Sequence, residues 1–416
     1  MRGGDPANHG LGPGPAVCRA HILEPIELRA PFWRYYAAIR AQPYACLLDS
    51  AMDPEKLGQF SFIAGDPSLV FQARRQPGRP PEAGARLEVS RRRDPDGTPH
   101  DPPVVEISTG DAFAALRELL AAYRVDHDEY RGHPAPFLAG AVGYFGYEAG
   151  YLIEALPDTG ADTLGLPDIG LMFVDSVLAH CHRTGRSWLS VVGRGRDEAA
   201  AHSDALAARD GWLRRLAAFE AEHPDLHVER PAARAAPVVV RAHFDEPGYC
   251  RAVQAAQEHI FAGDCYEVCL THQLEAPCPG DPWALYEELR RVNPAPFAGF
   301  LRLADAHVAS SSPERFLRLD AARVVESRPI KGTRPRGSTA AADEALRREL
   351  AGSAKDRAES AMIVDLVRND IGRVARFGTV HVPELMIIEA YATVLQMVST
   401  IRGTLEPGVD AVALIA

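Results

Sequence analysis

Segments with strand and helix patterns are mixed along the whole sequence, which predicts a protein of mixed α and β structure. Short apolar stretches with strand character occur at 44–50, 60–64, 171–181, 188–192, 310–319 and 322–327. Apolar residues recur at helical spacing in longer stretches at 110–123, 199–222, 245–263 and 353–373. A chain of 416 residues with 46% hydrophobic residues is long enough to bury a sizeable core.

Turn and capping residues support these elements in the first half of the chain. The strands at 171–181 and 188–192 are separated by Thr184-Gly185, which predicts a hairpin turn. The stretch 74–103 is crowded with Arg, Pro, Gly and Asp, which predicts an exposed loop or the edge of a hairpin. The residues before 20 are rich in Gly and Pro and lack an apolar core, so we predict a disordered leader over 1–20 rather than a signal peptide.

The second half of the chain carries clearer helix boundaries. Asp245 and Gly263 fit the N-cap and the end of one helix, and Ser353 followed by Asp356 fits the capping box of another. Alternation at 265–273 predicts a strand between them. Loss of periodicity near Pro231 predicts a boundary between regions 21–230 and 240–416. The chain ends inside the apolar run VALIA, which resembles the start of a helix and predicts an incomplete C-terminal region.

Charge and cysteine usage exclude several classes of function. The formal net charge of −11 argues against general nucleic-acid binding, which needs a basic face for phosphates. No apolar run approaches the roughly 20 residues of a membrane span. The seven cysteines are scattered, odd in number and without a CxxC pair, which argues against a disulfide framework or a zinc site. We therefore expect a cytoplasmic protein that binds neither nucleic acid nor a membrane.

The basic segment RPIKGTRPRG at 328–337 is the first candidate for chemistry. One interpretation is a solvated basic loop; the other is an anion-binding loop in which Gly332 lets the backbone approach a ligand. On the second interpretation Lys331 stands against the reacting atom as an amine nucleophile. A free lysine has a pKa near 10.4, which burial or neighbouring cations lower. Three arginines lie close enough in sequence to supply that charge: Arg328, Arg334 and Arg336.

Carboxylates form the second set of candidates. Glu314, in the run SPERF, suits a general acid if its pKa is raised, and an ion pair with Arg315 or Arg318 is the alternative. Asp356 and Glu359 are three residues apart on a predicted helix, so they share a face and suit Mg²⁺. The alternatives are a capping role for Asp356 and a solvated surface position for Glu359.

Together these segments resemble the superfamily of chorismate-using enzymes, which includes anthranilate, aminodeoxychorismate, isochorismate and salicylate synthases. The resemblance is carried by SPERFLRL, ESRPIKGTRPRG, AKDRAESAMIVDLVRNDIGRV and VLQMVSTIRGTL, and by YACLLDSA and AVGYFGYE nearer the N-terminus. It covers about residues 44–405. It implies an α+β fold in which two large, mostly antiparallel β-sheets form a sandwich with flanking helices, as in anthranilate synthase component I, shared by the two halves of the chain.

Two positions favour the aminodeoxychorismate synthases within that superfamily. The chain reads PIKGT where anthranilate synthases have PIAGT, and Gln396 stands where they have the His that assists pyruvate elimination. The resemblance implies that Lys331 attacks ring carbon 2 of chorismate, that Glu314 helps the hydroxyl leave carbon 4, and that ammonia then enters at carbon 4. Thr333 and Gly332 match substrate-contacting positions. The product, 4-amino-4-deoxychorismate, leads to p-aminobenzoate and folate.

The resemblance also implies a cofactor and a partner. Glu359 matches a Mg²⁺ carboxylate and Asp356 lies at a nearby carboxylate position, whereas the second carboxylate pair of the family lies beyond residue 416. A separate glutamine amidotransferase is expected to supply ammonia, since no Cys of the chain sits in a glycine-flanked turn. Asp49 and Ser50 occupy the place of a possible amino-acid pocket, or else a structural strand end. The alternatives are anthranilate synthase component I and a non-catalytic, truncated paralogue.

Overall fold

The structure is a computed structural model that describes residues 18–53, 55–125, 130, 132–157, 160, 162–224 and 238–416. Its strands are β1 (Cys18–Ile26), β2 (Tyr44–Asp49), β3 (Phe60–Gly65), β4 (Leu69–Arg74), β5 (Ala85–Arg93), β6 (Pro99–Gly110), β7 (Gly140–Phe145), β8 (Ile169–Val174), β9 (Ser176–Cys181), β10 (Arg186–Gly195), β11 (Arg241–Ala242), β12 (Leu274–Glu275), β13 (Phe297–Leu303), β14 (Ala306–Ser312), β15 (Arg315–Leu319), β16 (Val324–Arg328), β17 (Ile330–Pro335), β18 (His381–Ala390) and β19 (Val394–Thr404). Its α-helices are α1 (Ala112–Ala122), α2 (Glu198–Glu222), α3 (Glu246–Ala262), α4 (Pro282–Val292), α5 (Ala340–Gly352), α6 (Ala354–Val374) and α7 (Ala411–Ile415). The α+β class predicted from the sequence is confirmed.

Two antiparallel sheets pack face to face in the N-terminal part of the fold. One has the strand order β1-β10-β9-β3-β2-β13-β14 and the other β6-β5-β4-β8-β7. Phe62 and Leu301 of the first sheet pack in one core with Val142 and Met172 of the second. On the outer face of the second sheet lies α1, whose N-cap Asp111 accepts hydrogen bonds from the first turn. The predicted hairpin edge at 74–103 corresponds to β5 and β6.

A third antiparallel sheet carries the residues singled out for chemistry. Its strand order is β15-β16-β19-β17, and β18 also pairs with β19. Alternate residues of β19 face opposite sides of the sheet. Leu395 and Met397 pack against α5, and Ile401 packs in the core formed with α6. Gln396 lies between Leu395 and Met397 in the strand, so its side chain belongs to the opposite face of the sheet, away from these helices.

The two halves of the sequence are joined within one sheet, because β13 pairs with β2 through Ala298 and Asp49. The chain divides into two compact units, Met1–His227 with Leu289–Ala416, and Val228–Glu288. The predicted boundary near Pro231 lies outside the described residues. None of the described helices is both long and apolar enough to cross a membrane.

Two sequence predictions need correction. The leader predicted over 1–20 is too long, because Cys18 already pairs with Gly195 at the start of β1; residues 1–17 lie outside the described part. The strand predicted at 265–273 is also wrong, since none of these residues is in a strand and β12 begins only at Leu274. Alternation alone does not make a strand, which also needs a pairing neighbour. Within the smaller unit, α3 has the predicted N-cap Asp245 and left-handed Gly263.

Candidate active site

The basic segment at 328–337 forms a strand rather than a loop. Arg328 ends β16, and β17 pairs with β19 through Ile330 and Val398, then through Thr333 and Gln396. The register shifts between these two pairs, so Lys331 and Gly332 lie in a bulge. A bulge redirects side chains and is common beside active sites. Both loop interpretations of this segment are therefore wrong about its conformation.

Glu314 lies next to this bulge. Its Oε1 accepts a hydrogen bond from the backbone N–H of Ile330 at 3.2 Å, which brings the carboxyl group to the residue before Lys331. The alternative partner Arg315 instead donates a hydrogen bond to the buried Glu326. The structure thus brings together the two residues predicted to act on the substrate, with Glu314 exposed and Lys331 half-buried.

Gly332 adopts a left-handed backbone conformation, with a φ of 87°. A Cβ atom at this position would lie 2.9 Å from the Cβ of Asp356 on α6. Asp356 is buried and accepts a hydrogen bond from Arg334 at 2.9 Å. A hydrogen bond with Ser353 and the charge of Arg334 hold the pKa of Asp356 below its usual range. The bulge is therefore seated directly on an ionised, buried carboxylate.

The three arginines predicted to surround Lys331 each bond to a carboxylate. Arg328 donates to Glu389. The other two ion pairs join Arg334 to Asp356 and Arg336 to Asp343. Their positive charges are therefore largely compensated within the protein. The sequence could not show this, because the carboxylates lie 7 to 61 positions away.

Gln396 occupies the middle of the third sheet. It lies directly opposite Thr333 of β17 on one side and opposite Glu389 of β18 on the other. Directly paired residues project to the same face of a sheet, so these three side chains form one row. Among the described residues, no hydrogen-bond donor reaches the buried Oε1 of Gln396. The row thus offers an acceptor that a ligand would satisfy.

Glu389 was not identified from the sequence, and it is the most heavily bonded member of this row. It accepts hydrogen bonds from Arg328 at 2.6 Å, Lys56 at 2.8 Å and Tyr391 at 3.1 Å. Burial and the nearby Glu389 carboxylate raise the pKa of Tyr391, so its hydroxyl remains a donor. No local pattern predicts this arrangement, because Lys56 is 333 positions away in the sequence.

The two predicted Mg²⁺ carboxylates differ in availability. Glu359 is half-buried, and its nearest cation is the exposed Lys355 at 3.5 Å. Asp356 would have to give up its ion pair with Arg334 to bind a metal ion. Among the described residues, no group of three or more His, Cys, Asp or Glu side chains converges to hold a metal. Mg²⁺ accepts one or two protein carboxylates with waters and substrate, so Glu359 fits as a single ligand.

The possible amino-acid pocket at Asp49 and Ser50 is filled by protein partners. Asp49 is buried and forms an ion pair with Arg290. The Ser50 hydroxyl donates to the backbone oxygens of Phe60 at 2.7 Å and Pro296 at 3.2 Å. These contacts explain both residues as a structural strand end. Binding of an amino acid there stays a prediction.

Residues 90–416 match the family of chorismate binding enzymes, and the third sheet carries the residues by which the sequence resembles that class. The chain belongs to this family. Among curated relatives, it is 43% identical over 307 residues to the aminodeoxychorismate synthase of Streptomyces pristinaespiralis, covering 72% of this chain and 41% of the relative. It is 32% identical over 410 residues to aminodeoxychorismate synthase component 1 of Klebsiella aerogenes, covering 95% of this chain and 79% of the relative.

Anthranilate synthases are also similar. Component 1 from Thermus thermophilus is 40% identical over 310 residues, covering 74% of this chain and 63% of the relative. Among solved structures, anthranilate synthase component I of Streptococcus pneumoniae has a TM-score of 0.63 at 23% identity, covering 86% of this chain and 71% of the other. This likeness shows the fold. The chain spans less than two thirds of the length of the Streptomyces and Thermus relatives.

Proposed function

We propose that this chain is the chorismate-processing part of an aminodeoxychorismate synthase, which converts chorismate and ammonia into 4-amino-4-deoxychorismate. The observation that carries this proposal is the juxtaposition of Glu314 with the bulge that contains Lys331. The Glu314 carboxyl group accepts a hydrogen bond from Ile330, the residue before Lys331. This arrangement suits a substitution in which the lysine amine attacks and the carboxyl group protonates the leaving oxygen.

The chemistry divides into two substitutions. The Lys331 amine forms a bond to ring carbon 2 and loses a proton, both ring double bonds shift by one position, and the carbon 4 hydroxyl leaves as water with a proton from Glu314. Ammonia then bonds to carbon 4 and loses a proton, both ring double bonds return to their first positions, and the lysine amine takes up a proton and is expelled from carbon 2. Dividing one difficult displacement into two easier steps is the general advantage of a covalent intermediate.

Gln396 supports an enzyme whose product keeps its pyruvate side chain. An amide is neither an acid nor a base in the physiological pH range, so it cannot shuttle the proton that elimination of pyruvate requires. Its acceptor oxygen is suited to holding a substrate N–H or O–H group. Thr333, directly opposite and exposed, is placed to contact the same ligand.

A bound Mg²⁺ ion would shield the charge of the substrate's ring carboxylate, and Glu359 is the residue that would hold it. The carboxylate lies on the helix against which the Gly332 bulge is packed. We further propose a glutamine amidotransferase as the ammonia source, a role in p-aminobenzoate and folate formation, and a cytoplasmic location. The last is supported by the seven cysteines, all of which are free.

Anthranilate synthesis is the second candidate, supported by the 40% identity to the Thermus enzyme. The two functions are separated by incubating the complete gene product with chorismate, Mg²⁺ and ammonium and identifying the products by chromatography. Our proposal expects 4-amino-4-deoxychorismate and no anthranilate. Anthranilate as the main product would overturn our interpretation of Lys331 and Gln396. Absence of turnover, even with a partner glutaminase added, would favour a non-catalytic paralogue.

A further inference from the structure

The loop between β2 and β3 places an ammonium group against the third sheet. Lys56 belongs to a turn in which Asp53 accepts backbone hydrogen bonds from Leu57 and Gly58. Its Nζ lies 2.9 Å from Oε1 of Glu384 and 2.8 Å from Oε1 of Glu389. Both glutamates are on β18. One side chain from the beginning of the sequence therefore bridges two carboxylates close to its end.

The same two carboxylates are also bonded by Arg328, the last residue of β16. Arg328 Nη2 lies 2.6 Å from Glu389 and 3.7 Å from Glu384, and its side chain is only 5% exposed. Thr400 donates to Glu384 at 2.7 Å. Lys56, Arg328, Glu384 and Glu389 thus form a cluster of two cations and two anions, which we call the Glu384–Glu389 cluster. Removing one cation would leave a half-buried excess of negative charge, an arrangement that proteins avoid.

The Glu384–Glu389 cluster adjoins the proposed reactive residues at two points. Arg328 precedes Lys331 by three residues, and the intervening Pro329 accepts a backbone hydrogen bond from Ser399 of β19. Glu389 lies directly opposite Gln396. A displacement of Arg328 would therefore move the bulge that carries Lys331. A displacement of Glu389 would move the row that it forms with Gln396 and Thr333.

Lysine is rare in this arginine-rich chain, and its ammonium group suits the contacts made at position 56. The chain has 45 basic residues but only three lysines, Lys56, Lys331 and Lys355, so arginine occupies 42 positions (45 − 3). A compact ammonium with three donors can bridge two carboxylates at close range, whereas the planar guanidinium of arginine favours a single carboxylate held by two bonds. Lys56 does the former.

We propose that Lys56 is a positioning residue for the reaction. It neutralises Glu384 and Glu389 together, so that Arg328 stays bonded to Glu389 and the start of β17 keeps Lys331 in place in the bulge. Without Lys56, the two carboxylates repel each other and compete for Arg328. The proposal rests on the proposed function, since it assigns Lys56 to the same site.

The test compares Lys56→Met and Lys56→Arg in the complete gene product, with Arg117→Met as the matched control. Arg117 forms a comparable long-range ion pair with Asp410 at 2.8 Å, and its side chain is 42% exposed against 41% for Lys56. We expect Lys56→Met to lower kcat for chorismate and ammonium about tenfold with little change in KM. Lys56→Arg keeps the positive charge but favours one carboxylate, so it should recover only part of the loss, and Arg117→Met should show none. Equal effects on kcat of Lys56→Met and Arg117→Met would overturn the proposal.

A second measurement does not depend on turnover. Reductive methylation with ¹³C-formaldehyde labels the lysines and the N-terminus, and the resonances of Lys56, Lys331 and Lys355 are assigned by substitution. The Lys331 resonance should shift in Lys56→Met and keep its wild-type position in Arg117→Met. An unchanged Lys331 resonance in Lys56→Met would contradict the positioning role. If the wild-type protein does not turn over chorismate, the proposed function fails, and this resonance still decides the role of Lys56.

Discussion

Gly332 and Asp356 are in direct contact: a Cβ atom on Gly332 would lie 2.9 Å from the Cβ of Asp356. The left-handed φ of 87° at Gly332 is what allows the bulge to pack this closely on α6. The contact links the strand that carries Lys331 to the helix that carries Glu359. It therefore fixes the distance between the proposed nucleophile and the proposed metal ligand.

Gly332→Ala should destabilise the protein more than Gly378→Ala. Both positions have positive φ, which costs a residue with a Cβ about 1–2 kcal/mol, but only Gly332 has neighbours within 4 Å of the added atom. Crowding against the buried Asp356 should add at least about 1 kcal/mol. Urea unfolding of both variants measures the difference. Equal losses in the two variants would show that α6 moves aside and that the contact is not tight.

Glu314→Gln should separate the structural role of this side chain, which is to accept a hydrogen bond from Ile330, from its proposed role as a proton donor. The amide oxygen of Gln can still accept the hydrogen bond from Ile330, so the local structure should be kept. Proton donation is lost, and kcat with chorismate and ammonium should fall by about 10²–10⁴. Glu314→Asp, which keeps the acid but shortens the side chain, should retain more activity than Glu314→Gln. A Glu314→Gln variant with wild-type kcat would exclude Glu314 as the proton donor.

Glu359→Gln should raise the Mg²⁺ concentration needed for half-maximal turnover by at least about tenfold, because an amide oxygen is a weaker ligand for a hard cation. Asp365→Asn is the matched control, since Asp365 lies on the same helix and its side chain is 83% exposed. Titration of Mg²⁺ in steady-state assays compares the two variants. A curve for Glu359→Gln that coincides with that of Asp365→Asn would remove Glu359 from the metal site.

Folding stability should fall as the pH decreases from 6.5 to about 4, partly because of His180. Burial, with a smaller contribution from His182, lowers the pKa of His180 from 6.5 to about 4. The unfolded state therefore takes up a proton first, so the stabilisation is complete above pH 6.5 and is lost as the pH falls through this window. His180→Asn should reduce the slope of unfolding free energy against pH over this range. An unchanged slope would show that His180 is protonated in the folded protein.

The sequence predicted local features well because their causes are local. The helix caps at Asp245 and Ser353 were identified from residues within one turn, and the structure confirms both. The motifs also predicted that Glu314 and Lys331 lie in one site. The hydrogen bond from Ile330, the residue before Lys331, to Glu314 is consistent with that prediction. These predictions needed only short segments of the chain.

Features that depend on distant residues were not predictable. The cations around Lys331 were expected to act on it, but their charges are compensated by partners such as Glu389 and Asp356. Lys56 reaches β18 from another part of the sequence, and nothing near position 56 indicates this. The failed strand at 265–273 has the same cause, since pairing is decided by a neighbour that the segment itself does not specify.

The central claim, that Lys331 attacks chorismate, is tested most directly by intact-protein mass spectrometry. The complete gene product is incubated with chorismate and Mg²⁺ without ammonium, and the same is done with Lys331→Ala. We expect an adduct on Lys331 with the mass of chorismate less one water, which disappears when ammonium is added and does not form in the variant. Failure to detect the adduct in a turnover-competent protein, or an adduct that persists in Lys331→Ala, would contradict this account.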